Sequence, residues 1–428
     1  MRLSSTRLLT LFSFFLTSWL IYRIHDVSAR DPTSFFFDPR RGYAPAYSHL
    51  RRHQALDYIA SANITPAQGA IKASTQKQKI CVGIPSVARQ GAGYLREAVG
   101  SLLEGLGTQE REEMYIVVFI PHSDPAVHPA YTEDWLHSLV DYVLTYEVSE
   151  SEMRHVKDME DNDGPDYMEK GLYDYRYLLL HCAKQHTPYI AIFEDDVVAM
   201  DGWYHRTVSG IREAETLSAL KHASREFLYL RLFYTEEFLG WNSEEWSSYL
   251  AWSALVFVVP MAALYSVRAR YTALKARILT IRTMAIFATM VVSAIVLFFG
   301  IGRVTVWPLA PGISLMPKYG CCSQGFVFPR GRALMLTTYF ADRHTGAPDV
   351  LIEDFANEKG ELRWAITPSV VQHIGRKSSK KDDYGDMSKY GMSVAEKIWS
   401  FGFERLDWRA LREEHDAILE LRGDLSLR

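Results

Sequence analysis

Cysteine is scarce. The 428 residues hold four, Cys81, Cys182, Cys321 and Cys322, with no paired CxxC spacing, which excludes a disulfide-stapled scaffold and a zinc ribbon. An excess of one charge is missing too: 47 Lys and Arg face 51 Asp and Glu, a formal net charge of -4, so no nucleic-acid partner is expected. Low-complexity tracts are absent, and 48% hydrophobic residues exclude a long disordered chain. The length allows two or three domains at about 150 residues each.

Charge itself is absent from three stretches. From Leu8 to Tyr22 no charged residue occurs, with Arg2 and Arg7 before the run and Arg23 after it. The run is shorter than the usual span of about 20 apolar residues, so it reads either as an anchor with snorkelling arginines or as a signal cleaved after Val27-Ser28-Ala29. The other two gaps lie between Glu245 and Arg268 and between Arg282 and Arg303. They predict spans over Tyr249 to Tyr265 and Thr283 to Gly302, each able to cross a hydrocarbon core of about 30 Å. The linker between them carries Arg268, Arg270, Lys275, Arg277 and Arg282 and no acid, which places it on the cytosolic side. A cytosolic N-terminus then puts both polar segments, before and after the hairpin, in an oxidising lumen. There Asn63-Ile64-Thr65 is a glycosylation sequon weakened by Pro66, and a disulfide is open to any of the four cysteines.

These boundaries divide the chain into a membrane anchor over 1–29, a luminal stem over 30–78, a nucleotide-binding part over 79–247, a transmembrane hairpin over 248–302, an acceptor part over 303–380 and a luminal tail over 381–428. The stem holds Pro32, Pro39, Gly42, Pro45 and Pro66 around one short helix, His49 to Ala62. Beyond it, Lys79 to Ser86 reads as a buried strand, Gly93 to Leu106 as a helix, Met114 to Ile120 and Leu139 to Tyr146 as strands, and Asp166 to His186 as a helix stopped by Pro188. That alternation predicts an α/β fold with a mostly parallel sheet flanked by helices.

The apolar run Tyr189 to Phe193 ends in Glu194-Asp195-Asp196. Ligands of open α/β sheets bind beyond the carboxyl ends of strands. Three adjacent carboxylates there cost free energy unless a cation neutralises them, and hard oxygen donors suit Mn²⁺ or Mg²⁺ bridging to a nucleotide diphosphate. Without its strand, such a triplet is ordinarily a solvated turn. His373 ends the apolar stretch of Pro368 to Gly375. A lone histidine is usually structural, but an imidazole also suits Mn²⁺ beside carboxylates.

The segments YIAIFEDDV, CCSQGFVFPR, PDVLIEDFA and PSVVQHIGRKSS together resemble N-acetylglucosaminyltransferase IV. They are closer still to the membrane transferases that add N-acetylgalactosamine to the GPI-anchor core, the post-GPI-attachment family. The likeness covers roughly 79 to 247 and 303 to 380. It implies a GT-A fold with an N-terminal transmembrane helix and an inserted transmembrane hairpin. It also implies inverting, metal-dependent transfer from a UDP-N-acetylhexosamine, N-acetylgalactosamine favoured, to a mannose of the GPI glycan. The acceptor is then a GPI-anchored protein or GPI lipid, and the location a Golgi membrane, ahead of the endoplasmic reticulum because no KDEL-type tail ends the chain.

On that likeness Asp196, Asp195 and His373 are the expected metal ligands, with Asp195 also toward ribose and Glu194 supporting. A single displacement needs a carboxylate to take the acceptor proton. Asp349 ranks first and Glu353 second, since on a helix they share a face four residues apart; helix capping is the ordinary role of such acids. Asp174 and Tyr175 are candidates for lining the nucleotide pocket, Arg89 for a phosphate contact, and Ser323, Gln324 and Gly325 for bounding the sugar site. Trp203 and Trp241 are candidates for stacking on sugars, although burial is the commoner fate of such rings. Two rival functions remain: an N-glycan N-acetylglucosaminyltransferase and a non-catalytic GPI-binding adaptor.

Overall fold

Alternating apolar residues let each strand bury both faces, and two cores form accordingly. Ile80, Val82, Ile84, Met114, Ile116 and Val118 enter one core, whereas Cys81, Val117, Phe119, Ile190 and Ile192 enter the other. The computed structural model describes residues 5–64, 78–89, 91, 93–161, 166–221, 226–271, 278–316, 320, 322–377 and 390–424.

The strands are β1 (Ile80–Pro85), β2 (Met114–Phe119), β3 (Tyr142–Leu144), β4 (Tyr189–Phe193), β5 (Val197–Ala199), β6 (Tyr229–Arg231), β7 (Gly312–Leu315), β8 (Gly325–Pro329), β9 (Arg363–Thr367) and β10 (Val371–His373). Eight of them form one sheet in the order β3-β2-β1-β4-β8-β6-β9-β7, and β10 pairs with β5. β3, β2, β1 and β4 are parallel, as are β6 and β9, while β8 and β7 run antiparallel to their neighbours. The sheet is thus mixed and mostly parallel. The helices Leu95–Leu103 and Trp203–Lys221 contribute to one core, and Asp166–Lys184, Arg330–Arg343 and Pro348–Lys359 to the other. A disulfide joins Cys81 of β1 to Cys182 of the helix Asp166–Lys184, and Cys322 is also disulfide-bonded.

The chain divides into two compact units, one of Met1–Ala44 with Glu236–Leu309 and the other of Pro45–Thr235 with Ala310–Arg428. The second holds the sheet. It also holds the helix Tyr47–Ile64, expected as part of a stem, whose Arg51 is fully buried. Arg51 Nε donates to Ala199 O at 2.8 Å and Nη2 to Ser101 O at 3.0 Å, so a basic residue serves as a core brace. Thr65 and Pro66 of the sequon lie outside the described residues, as do Lys275 and Arg277 of the basic linker.

In the first unit, the helices Trp246–Arg270 and Ile281–Ile301 are long and apolar enough to cross a membrane. The helix Ser5–Ser28 precedes a turn bonded to the end of the second of them and to the short helix Arg303–Val306 after it: Phe35 N donates to Gly300 O at 3.0 Å, and Asp31 Oδ2 accepts from Thr305 N at 2.7 Å. At Gly302 φ is +105°, and a Cβ would lie 2.5 Å from Asp31 Oδ2, so only glycine fits.

Candidate active site

The central strand β4 lies between β1 and β8, and its carboxyl end delivers Glu194, Asp195 and Asp196. The chain then enters β5, whose pairing with β10 sets His373 opposite Val197, and Ile374 N closes the turn on Asp196 O at 2.8 Å. His373 Nε2 consequently stands 3.4 Å from Asp196 Oδ2. His373 Nδ1 lies 3.0 Å from the Ile398 carbonyl, which only accepts, so Nδ1 carries the proton and Nε2 faces the acid.

Each acid has its own surroundings. Asp195 takes both arms of Arg89 at 2.7 Å and the Ser86 hydroxyl at 2.5 Å. Glu194 accepts from the Ser323 hydroxyl and from Gln324 Nε2, the latter at 3.0 Å. Asp196 keeps Oδ1 buried with no hydrogen-bond partner among the described residues. A Cβ on Gly375 would lie 2.3 Å from Asp196 Oδ2 and 2.9 Å from His373 Nε2, so the bare glycine leaves the space beside both groups open.

Electrostatics follows from that packing. Burial, then the neighbouring Asp196 charge, pushes Glu194 up to about 7. Burial likewise raises Asp195 despite Arg89, whereas Asp196 is lowered because His373 and Arg89 outweigh its burial. His373 is raised: burial opposes its charged form, but the Asp196 carboxylate overcomes this. Burial and the mutual charges of the acids thus oppose ionisation of Glu194 and Asp195, and a cation would favour it. Glu194, Asp196 and His373 each offer one ligand atom, all within 4.8 Å of one another, a set of two carboxylates and an imidazole that fits Mn²⁺ or Mg²⁺. Asp195, expected among the ligands, is instead clamped by Arg89, and Arg89, expected on a phosphate, has both arms on that acid.

Asp349 begins the helix Pro348–Lys359; its charge helps raise Glu194 and the hydroxyl of Tyr175. Burial is the first cause of the Tyr175 shift, and that hydroxyl has no hydrogen-bond partner among the described residues. Glu353 differs from its expected role: it accepts from Arg231 at 2.6 Å, Arg363 at 2.8 Å and the Tyr229 hydroxyl at 2.6 Å. Its oxygens are spent on a buried brace. Asp174 is similarly held by Lys170 at 2.8 Å and by the Tyr146 hydroxyl, and burial pushes it up to about 6. Gly325 opens β8 opposite Phe193, its Cα side filled by Leu232. Trp241 belongs to the other unit, where it packs on Phe298 and Phe299 and donates to Phe299 O at 3.1 Å. Trp203 is buried, donating to Leu102 O at 2.9 Å.

A cavity of about 200 Å³ adjoins Asp195, lined among others by Ser86, Arg89, Tyr94 and His128. Ser86 and His128 were not singled out from sequence; the signal available for Ser86 was its place directly after β1, at the same sheet edge as the acids.

A family described as GPI-N-acetylgalactosamine transferase PGAP4 matches residues 80–372, more than half of the chain. The chain belongs to that family. The PGAP4 match takes in Glu194, Asp195, Asp196 and Asp349 and stops one residue before His373. A mouse (Mus musculus) protein, alpha-1,3-mannosyl-glycoprotein 4-beta-N-acetylglucosaminyltransferase B, is 42% identical over 55 residues, which is 13% of this chain. The similarity spans only 10% of that relative's length. Family and relative alike point to a glycosyltransferase.

Proposed function

We propose that this chain is a metal-dependent, inverting glycosyltransferase that moves N-acetylhexosamine, N-acetylgalactosamine favoured, from a UDP-sugar to a mannose of the GPI glycan. The observation that carries the reading is the convergence of Glu194, Asp196 and His373 beyond the central strand, in a chain of the PGAP4 family.

Asp196, His373 and Glu194 would hold Mn²⁺ or Mg²⁺, which when bound supplies positive charge against the charge developing on a departing diphosphate. The chain's own residues do the rest. Ser323 and Gln324 fix the Glu194 carboxylate, and the Ile398 carbonyl keeps the His373 Nε2 lone pair aimed at the acids. Arg89 and Ser86 hold Asp195 rigid beside the cavity, a place suited to ribose. Asp349, half-buried and close enough to Glu194 to raise it, serves as the base that takes the acceptor hydroxyl's proton. The Tyr175 hydroxyl, without a partner among the described residues, would meet a sugar hydroxyl.

The apolar helices Trp246–Arg270 and Ile281–Ile301, with Ser5–Ser28, are read as membrane-spanning, with the sheet unit in the Golgi lumen. The basic linker and the Cys81–Cys182 disulfide support that sidedness. A membrane-held cleft confines enzyme and lipid-anchored acceptor to one thin layer, raising their effective concentration. A second reading, transfer of N-acetylglucosamine to N-glycans, is favoured by the mouse relative's name. Turnover of purified full-length protein with a panel of UDP-sugars, on GPI-linked and N-glycan acceptors, separates the two by mass analysis of the product. Absence of any UDP-sugar turnover with Mn²⁺ or Mg²⁺ overturns both.

A further inference from the structure

The C-terminal helix Trp408–Arg422 places Leu411, His415 and Leu419 at four-residue spacing on one buried stripe. Asp407 caps its start and Gly423, at φ +64°, ends it. It lies beyond the residues matched by the family, and the sequence assigns it no role.

His415 brings an imidazole into the core beside two other ligand-type residues, Glu110 of the helix Thr108–Glu112 and His205 of the helix Trp203–Lys221. Their relative exposures are 0%, 4% and 1% for Glu110, His205 and His415. Each offers one ligand atom, and these atoms all lie within 4.8 Å of one another. Both rings are oriented from behind by a carboxylate: His415 Nδ1 is 2.9 Å from Asp201 Oδ1, and His205 Nε2 is 3.2 Å from Glu414 Oε1. A carboxylate on the far nitrogen is the arrangement that fixes tautomer and basicity in metal-binding histidines. That leaves His415 Nε2 and His205 Nδ1 as the nitrogens available to an ion.

An ion pair alone does not satisfy the cluster. A protonated His415 bridges Asp201 and Glu110 Oε2, the latter at 2.9 Å. His205 Nδ1 and Glu110 Oε1 are then buried with no hydrogen bond among the described residues, and Arg422 Nη1 lies 3.8 Å from the latter. Gly202 adds a cradle: a Cβ there would lie 2.4 Å from His205 Cε1 and 2.9 Å from its Nδ1.

We propose that Glu110, His205 and His415 form a structural Zn²⁺ site, separate from the acids at β4, that staples the C-terminal helix to the sheet unit. Two imidazoles and a carboxylate are a zinc donor set of three, to which a water would add the fourth position. Binding replaces the proton between His415 Nε2 and Glu110 and releases it to solvent.

The test uses full-length protein in detergent, stripped with a chelator and titrated with Zn²⁺ against a competing chromophoric chelator, and with Co²⁺ followed by its visible absorption. One equivalent of tightly bound Zn²⁺ and an intense tetrahedral Co²⁺ spectrum are expected in Asp196→Asn, which removes the other cation site, and at least as much in the wild type. His205→Gln should lower Zn²⁺ affinity more than tenfold, and Glu414→Gln about 10- to 100-fold. Glu414 is exposed, so its variant decides the matter even where His205→Gln fails to fold. A wild-type protein with no tight Zn²⁺ and no such spectrum overturns the site, as does unchanged affinity in Glu414→Gln.

Discussion

His373 Nε2 faces Asp196 Oδ2 across 3.4 Å, although the two residues lie on opposite sides of the segment Glu236–Leu309 in sequence. Asp196 Oδ1 is buried and has no hydrogen-bond partner among the described residues, so it is open to positive charge. Asp196→Asn should therefore reduce transfer by about two to three orders of magnitude and abolish divalent-cation-dependent UDP-sugar binding, with an unchanged thermal midpoint. Retained turnover in that variant discards the ligand assignment.

Gly375→Ala tests the same site without touching a charge. Its Cβ would stand 2.3 Å from Asp196 Oδ2, so acid and imidazole have to part. Donor binding measured against Mn²⁺ concentration should require at least about tenfold more cation. A wild-type dependence speaks against a metal between Asp196 and His373.

Asp349 and Glu353 separate cleanly. Asp349→Asn is expected to lower kcat by about 10²- to 10⁴-fold, the usual worth of a general base, while leaving stability alone. Glu353→Ala leaves Arg231 and Arg363 without their buried carboxylate and should cost about 3–5 kcal/mol, read as a lowered denaturation midpoint. Loss of rate without loss of stability in Glu353→Ala reverses the two roles.

His128 makes stability depend on pH. Its Nδ1 accepts from Ala130 N at 3.2 Å and its Nε2 lies 3.0 Å from the Ser86 hydroxyl, an arrangement for the neutral ring. Burial, with help from His122 and Arg89, pushes it down to about 4. Its folded value is below the ordinary 6.5, so its contribution is complete above pH 6.5 and is lost as pH falls to about 4. Thermal melts from pH 7 to 4 should show this slope in the wild type and a flatter one in His128→Gln; equal slopes dismiss it.

Replacing the segment that holds Trp246–Arg270 and Ile281–Ile301 by a flexible linker should reduce transfer to bilayer-embedded GPI more than transfer to a detached glycan. Equal losses on both acceptors remove the confinement argument.

The sheet was legible where burial is two-sided and local. Tyr189 to Phe193 is strand to the residue, and β1 and β2 fall within one residue of the expected runs at each end. Leu139 to Tyr146 shrinks to Tyr142–Leu144 because Leu139 is taken by a preceding helix. The helix expected over His49 to Ala62 forms, but its packing was hidden by its arginines: Arg51 looks solvent-bound in sequence, and the Ala199 and Ser101 carbonyls with the Glu104 carboxylate make it a core residue. At the site, the acids and His373 were readable from residue type after an apolar run. The clamp of Arg89 on Asp195 and the brace around Glu353 were not, since each depends on a partner far along the chain.

The two-part first unit fixes a schedule for biosynthesis. Glu194 to Asp196 leave the ribosome before Glu236–Leu309, whereas Ser323, Gln324, Asp349 and His373 leave after it, and β4 meets its neighbour β8 only then. Until that moment the nascent chain carries a half-built cleft and an open strand edge, the kind of surface that attracts chaperones and aggregates. Assembly of the site therefore has to wait until the apolar helices have been made, and a chain truncated at Leu309, lacking β8, Asp349 and His373, is expected to show no transfer.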